Sequence, residues 1–320
     1  MIRLGFGAMV EPDEEKLRFA AQLGAEAIIV HANMGATTFW DLQALVRMRT
    51  RIAAAGMTFE AIENFPDPFM TKIRLGAPGR DEQIERIMGI IRDVGRAGIP
   101  IIGYHFMLLG VWRTEYSPTG RGGALVSKYD HGLVNRAPIV DVGGLDEEGL
   151  WANLSYFLKA VVPVAEEEGV MLALHPDDPP VLSIAGTPRI IRSLQAYRRV
   201  LGIIESPANG LEFCQGTVSE MEHTPDEIYA AIREFAGRKK IAYVHFRNVR
   251  GMVPSFEETH IDDGRIDMLE AMRAYHEAGF KGVLIPDHVP GSPDDSPWGH
   301  RGRAFAFGYM KALRKCVEGR

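Results

Sequence analysis

The chain has 320 residues, 46% of them hydrophobic and 24% charged, with a formal net charge of −6. That is an ordinary globular composition, long enough to bury a sizeable core without covalent staples. A mildly acidic balance with no basic stripe argues against nucleic acid or an anionic membrane as partner. Two cysteines, Cys214 and Cys316, make no disulfide framework and point to a reducing cytoplasm. The opening "MIRLGFGAMVEPDEE" lacks a signal-peptide cleavage pattern, and no run approaches the roughly 18 apolar residues of a membrane span.

Short apolar runs predict strands at 2–8, 25–32, 58–64 and 100–106, then at 170–175, 210–216, 241–246 and 282–288. Amphipathic runs between them predict helices at 12–23, 38–55, 81–97, 147–168, 188–204, 225–237, 264–278 and 299–317. Punctuation agrees. Thr224 and Pro225 in "TPDEI" make a helix start, and Gly98 in "AGIP" and Gly279 in "EAGF" make helix ends. Eight βα units with almost wholly apolar strands predict an α/β fold, one (β/α)₈ barrel domain over 1–320. The competitor is a doubly wound sheet, but "GFGAMV" at 5–10 lacks the third glycine of a dinucleotide loop, with Val10 near its place. The stretch 107–146, rich in Gly, Arg and Tyr, follows the fourth strand. It is read as a long irregular insertion over the catalytic face, a lid or an oligomer contact.

In a parallel barrel the chemistry lies at the C-terminal strand ends. The fifth to eighth strands end in His175, Cys214, His245 and Asp287-His288. Singly, each has a structural reading as a hydrogen-bonded histidine, a small buried thiol or a helix-capping aspartate. Together, four consecutive strands deliver N, S or O donors at one height, a donor set for a divalent transition ion. A thiolate and two imidazoles disfavour Mg²⁺ and Ca²⁺ and point to Mn²⁺, Fe²⁺, Co²⁺ or Zn²⁺. No organic cofactor is expected.

Other candidates share the rim. Asp177 and Asp178 are read as ring-orienting or hydroxyl-binding carboxylates, or as turn formers before Pro179. Arg247 suits a bidentate clamp on a substrate carboxylate, or a salt bridge to Asp177 or Asp178; Asn248 beside it is a further substrate contact. Glu63, His105 and His31 end earlier strands and are read as sugar-hydroxyl contacts. His260 lies within reach in the loop after the seventh strand. His131, His223 and His276 are assigned to surfaces and helices.

These residues stand in segments that resemble mannonate dehydratases: "VGRAGIPIIGYHFM", "GLWANLSYFLKAVVPVAEEEGVMLALHPDDPP", "SPANGLEFCQG", "VHFRNV" and "IPDHVPG". The likeness runs from about residue 85 to 290. It implies a barrel of the xylose isomerase-like group that holds Mn²⁺ and dehydrates D-mannonate to 2-keto-3-deoxy-D-gluconate in hexuronate catabolism. It also implies His175, Cys214, His245 and Asp287 as ligands and His288 in proton transfer. One departure concerns the pocket. Where members carry a tyrosine in a "PGY" turn, this chain has "SPWGHRGRAF", with Trp298 or His300 near that place, and Val289 replaces the glycine after "PDH".

On this reading the substrate is an aldonate. It loses the proton α to its carboxylate and then its β-hydroxyl, with Arg247 on the carboxylate or a hydroxyl, His288 and His300 as proton-transfer groups, and Trp298 against the substrate. A metal-dependent sugar isomerase or epimerase on the same barrel is the near alternative, and Glu63, the sole convincing strand-end glutamate, counts against a two-metal isomerase. A non-catalytic sugar-acid-binding barrel is the other. A homo-oligomer, dimer or tetramer, is compatible with all three.

Overall fold

The structure is a computed structural model that describes residues 1–10, 12–32 and 40–320. Eight strands form its centre: β1 (Arg3–Met9), β2 (Ala27–His31), β3 (Thr58–Glu63), β4 (Ile101–Tyr104), β7 (Met171–Leu174), β10 (Asn209–Cys214), β11 (Ile241–His245) and β14 (Val283–Ile285). They close in the order β1-β14-β11-β10-β7-β4-β3-β2, each pair parallel. The expected (β/α)₈ barrel is the observed one. Both glycines of "GFGAMV" lie within β1, which runs on to Met9 instead of turning, so the segment forms no phosphate loop. A Cβ on Gly5 would stand 2.4 Å from the carbonyl oxygen of Ala27, which explains the glycine where β1 meets β2.

The helices are α1 (Glu14–Leu23), α2 (Leu42–Ala54), α3 (Asp67–Leu75), α4 (Arg80–Arg96), α5 (Glu147–Glu167), α6 (Leu194–Ile203), α7 (Gln215–Glu220), α8 (Pro225–Gly237), α9 (Met268–Glu277) and α10 (His300–Val317). Eight are those the periodicity predicts; α3 and α7 are additional. Thr38 and Phe39, at the start of the expected second helix, lie outside the described residues. The side chains of Asp13, Asp41, Asp146, Ser193, Thr224 and Asp267 each accept from a backbone N–H in the first turn of the helix that follows. These caps satisfy groups that a helix start leaves bare, each contributing about 1 kcal/mol.

The 107–146 stretch is more regular than expected. It contains β5 (Glu115–Ser117) and β6 (Val126–Asp130), which join β12 (Val249–Met252) and β13 (Ser255–Glu258) from the segment after β11. The four make an antiparallel sheet in the order β12-β13-β6-β5. Tyr129 and Phe256 from this sheet pack on Val181 and Ile184 as a small separate core. A further short hairpin pairs β8 (Ser183–Ile184) with β9 (Thr187–Pro188). Strands this short carry no readable alternation, and the pairing of β13 with β6 that joins the two hairpins is between segments far apart along the chain.

The barrel interior positions the site. Ile29, Ala61, Ala173, Tyr243 and Ile285 belong to one cluster of inward-facing strand residues. Side chains alternate along a strand, so the next inward positions are His31, Glu63, His175, His245 and Asp287. The register sets Cys214 beside His245 and His31 beside Glu63.

Candidate metal centre

Ligating atoms of His175, Cys214 and His245, all buried, lie within 4.8 Å of one another. His175 and His245, with Asp287 and His288, line a cavity of about 790 Å³ at the C-terminal end of the barrel; Cys214 is not among its lining residues. His175 Nδ1 is 2.6 Å from the carbonyl oxygen of Pro176. Donation there leaves Nε2 as the acceptor toward the cluster, the tautomer a metal ligand needs. The Cys214 sulfur caps α7, accepting from Thr217 N at 3.5 Å and Thr217 Oγ1 at 3.1 Å. Asp287 Oδ2 is 3.4 Å from His245 Nδ1 and accepts from Arg247 Nε at 3.2 Å.

A second carboxylate group adjoins the first. Glu212 Oε1 is 3.1 Å from His245 Nε2 and 4.0 Å from His175 Nε2, and Glu63 Oε2 is 3.5 Å from His245 Nε2. Among the described residues both oxygens of Glu212, Oε2 of Glu63 and both ring nitrogens of His245 are buried with no hydrogen-bond partner. Orphaned groups of this kind are costly, about 1–3 kcal/mol each, and are rare without a ligand or water to receive them. Here they surround His245, whose Nε2 faces Glu63 and Glu212 and whose Nδ1 faces Asp287, so one ring nitrogen is left for a bound cation.

The electrostatics agree. Burial opposes a charge on His175, but Glu212 and Cys214 outweigh it and push its pKa up to about 9. Burial likewise opposes the Cys214 thiolate, yet Arg247 and His175 hold the thiol well below its usual value. Burial and Glu63 together push Glu212 up to about 8. The donor set fits a divalent transition ion.

A network of buried charges flanks the cluster. Arg247 donates to Glu220 Oε1 at 3.0 Å and to Asp178 Oδ2 at 3.0 Å as well as to Asp287. Arg113, from the inserted stretch, pairs with both oxygens of Asp178 and donates to Glu258 Oε1 at 2.6 Å. Glu258 Oε1 is also 2.6 Å from His288 Nδ1. Burial disfavours charge on His288, but Asp287 and Glu258 raise its pKa to about 8. Arg189 ties the base of the insertion down, donating to the carbonyls of Leu109, Gly110 and Asp178 at 2.8–3.0 Å.

The remaining predicted residues divide. His31, Glu63, His105, Asp178 and Trp298 line the cavity with the cluster. Burial and Arg74 hold His105 well below the usual histidine range. Arg247 does not line the cavity; its guanidinium is engaged by three carboxylates, the salt-bridge alternative to a substrate clamp. Asp177 does not line it either, and accepts from the backbone of Ile190 and Ile191 at 2.6 and 3.0 Å. Asn248 binds the backbone of Ile261, Ile266 and Val249, which occupies its amide. His260 packs edge-on against Phe305 at 5.9 Å.

His300 departs furthest from expectation. It opens α10 after Gly299, bonds Ser296 Oγ through Nδ1, and packs between Phe19 and Trp298 at 4.8 and 4.9 Å. Its Nε2 is 3.9 Å from Glu15, and the residue is not among those lining the cavity. The helix start, with Gly299 in the left-handed region at φ 78°, carries the ring to the α1 side.

Glu212, Glu220, Glu258 and Arg113 were not singled out by sequence reasoning. Glu212 had a usable signal, lying two positions before Cys214 and therefore on the same face of its strand. With it present, Glu63 is no longer the sole strand glutamate near the site.

Comparisons with known proteins identify the family. The UxuA family model, D-mannonate dehydratase, matches residues 6–142 and 139–320. Mannonate dehydratase 2 of Halalkalibacterium halodurans is 31% identical over 94% of this chain and 93% of its own. Mannonate dehydratase of Thermotoga maritima is also 31% identical, over 87% of each chain. Mannonate dehydratase from Streptococcus suis serotype2 superposes with a TM-score of 0.88 at 27% identity, covering all of this chain and 95% of that one. A D-psicose 3-epimerase from Clostridium cellulolyticum H10, at a TM-score of 0.65 and 15% identity over 98% of this chain and 99% of that one, shares the barrel alone. With a matching model over nearly its whole length and relatives 31% identical over 87–94% of it, the chain belongs to the D-mannonate dehydratase family.

Proposed function

We propose that the chain is a metal-dependent hydro-lyase that converts D-mannonate to 2-keto-3-deoxy-D-gluconate and water. The observation that carries this reading is the convergence of His175, Cys214 and His245 within 4.8 Å, with the two histidines lining the rim cavity. Asp287, against His245, completes the donor set. Two imidazoles and a thiolate suit Mn²⁺, Fe²⁺, Co²⁺ or Zn²⁺, and the family resemblance favours Mn²⁺. When bound, the ion stabilises the negative charge that grows on the substrate as its α-proton leaves.

The side chains divide the remaining work. Glu258 engages Nδ1 of His288, so His288 moves a proton at Nε2. Arg247 holds Asp178, Glu220 and Asp287 in place and thereby fixes the wall of the cavity. Trp298, His31 and His105 line the space for the sugar hydroxyls. Loss of the α-proton and the β-hydroxyl leaves an enol, which tautomerises to the 2-keto acid with no organic cofactor. Both cysteines are free, and a thiolate ligand is best preserved in a reducing compartment, which favours the cytoplasm. No helix of the described residues is long and apolar enough to cross a membrane.

The test is a coupled assay of the Mn²⁺-loaded protein over a panel of hexonates and pentonates, detecting 2-keto-3-deoxy acids. Product from D-mannonate above the others supports the assignment. Product only from a different aldonate refutes the substrate and keeps the reaction class.

A further inference from the structure

Glu212 is fully buried inside the barrel, directly beneath the donor cluster. Barrel interiors are filled mostly by branched apolar side chains, so a carboxylate there needs polar neighbours; the Tyr243 hydroxyl is one, and the other is on the His245 side. Gly103 makes room for it, since a Cβ at that position would come within 2.6 Å of Glu212 Oε2 and 2.2 Å of the Tyr243 hydroxyl.

The geometry around His245 says which partner. Its two nitrogens face different carboxylates: Glu212 Oε1 lies 3.1 Å from Nε2, and Asp287 Oδ2 lies 3.4 Å from Nδ1. A neutral imidazole offers one nitrogen to an ion and the other N–H to an acceptor, which fixes tautomer and ring orientation. Resting on the metal-centre reading above, we propose that Glu212 is the outer carboxylate of that centre. It accepts the Nε2–H of His245, and His245 then faces the ion through Nδ1, on the side of Asp287. His175 does the reverse, with Nδ1 on the Pro176 carbonyl and Nε2 toward the cluster. The two histidines coordinate through opposite nitrogens, each held by its own acceptor. Glu212 is a positioning residue in this arrangement. Glu63, 3.5 Å from the same Nε2, reinforces it.

The test uses the full chain loaded with Zn²⁺, which is diamagnetic, and labelled with ¹⁵N-histidine. Long-range ¹H–¹⁵N spectra are expected to show His245 protonated at Nε2 and metal-bound at Nδ1, with the opposite pattern for His175. In chelator competition for Mn²⁺, Glu212→Ala is expected to weaken binding by about 10- to 100-fold, while Glu212→Gln, which keeps a carbonyl acceptor, stays close to wild type. Metal on Nε2 of His245, or unchanged affinity in Glu212→Ala, would overturn the proposal. If Glu212→Ala fails to fold, the wild-type spectrum decides alone. A wild-type chain that takes up no ion removes the metal-centre reading itself, whereas uptake through Nε2 removes only the role of Glu212.

Discussion

Oε1 of Glu258 and Nδ1 of His288 stand 2.6 Å apart, joining the hairpin strand β13 to the loop that follows the last barrel strand. His288 adopts a left-handed backbone at φ 45°, a conformation that costs a bulky residue on the order of 1–3 kcal/mol and persists where surroundings hold it. His288→Ala is expected to lower kcat by about 10²- to 10⁴-fold, the usual worth of a positioned proton-transfer group. Glu258→Gln is expected to lower kcat less, with KM little changed. Steady-state kinetics alongside elemental analysis check both, and metal content should remain at the wild-type level in His288→Ala.

The donor cluster makes a separate prediction. Cys214→Ala and His175→Ala each remove one of three mutually close ligating groups, and each is expected to lose most of the bound metal after dialysis. Elemental analysis decides. Full occupancy in both variants would refute this ligand set. Because thiolates are the oxidisable form, brief peroxide treatment of the apoprotein should block metal uptake in wild type.

His300 is expected to be dispensable for the chemistry. Its ring packs on Phe19 and Trp298 and bonds Ser296, so His300→Ala should cost stability, about 1–3 kcal/mol, and leave turnover of the folded enzyme near wild type. Thermal melts and kinetics separate the two effects. Abolished turnover in a folded, metal-loaded variant would return His300 to the mechanism.

Arg113 sets an acid dependence. Burial opposes ionisation of Asp178 and Glu258, but for Asp178 the pairing with Arg113, and for Glu258 the charges of His288 and Arg113, hold each carboxyl far below its usual range. Their folded pKa values are depressed, so the stability they contribute is present above the unfolded values, near pH 4. It is lost as pH falls through the folded ones. Arg113→Met strands those carboxylates and is expected to cost about 3–5 kcal/mol at pH 7. The deficit should shrink toward pH 4 as the stranded groups take up protons. Urea melts of the metal-free proteins across that range check this, and a constant deficit would contradict it.

Much of the site is legible because a strand alternates. Ala61 precedes Glu63, Ala173 precedes His175, Tyr243 precedes His245 and Ile285 precedes Asp287, each pair two residues apart on an inward face. An apolar run ending in a donor therefore marks the barrel and its rim together. Glu212 escapes because it lies within its strand rather than at the end. Arg113 and Glu258 escape because one lies in an irregular segment before β5 and the other in a four-residue strand, too short for any periodicity to be read. His300 misleads for the converse reason. It lies close to Asp287 and His288 in sequence, but the start of α10 carries its ring elsewhere, and nothing local in "SPWGHRG" encodes that direction.

The most direct measurement follows D-mannonate incubated with Mn²⁺-loaded protein, metal-free protein and Cys214→Ala, with products resolved by mass spectrometry. Loss of one water per turnover in the loaded wild type, and in neither control, is the predicted result. Unchanged D-mannonate in all three, or an isomer of equal mass in the loaded sample, would contradict a metal-dependent dehydratase.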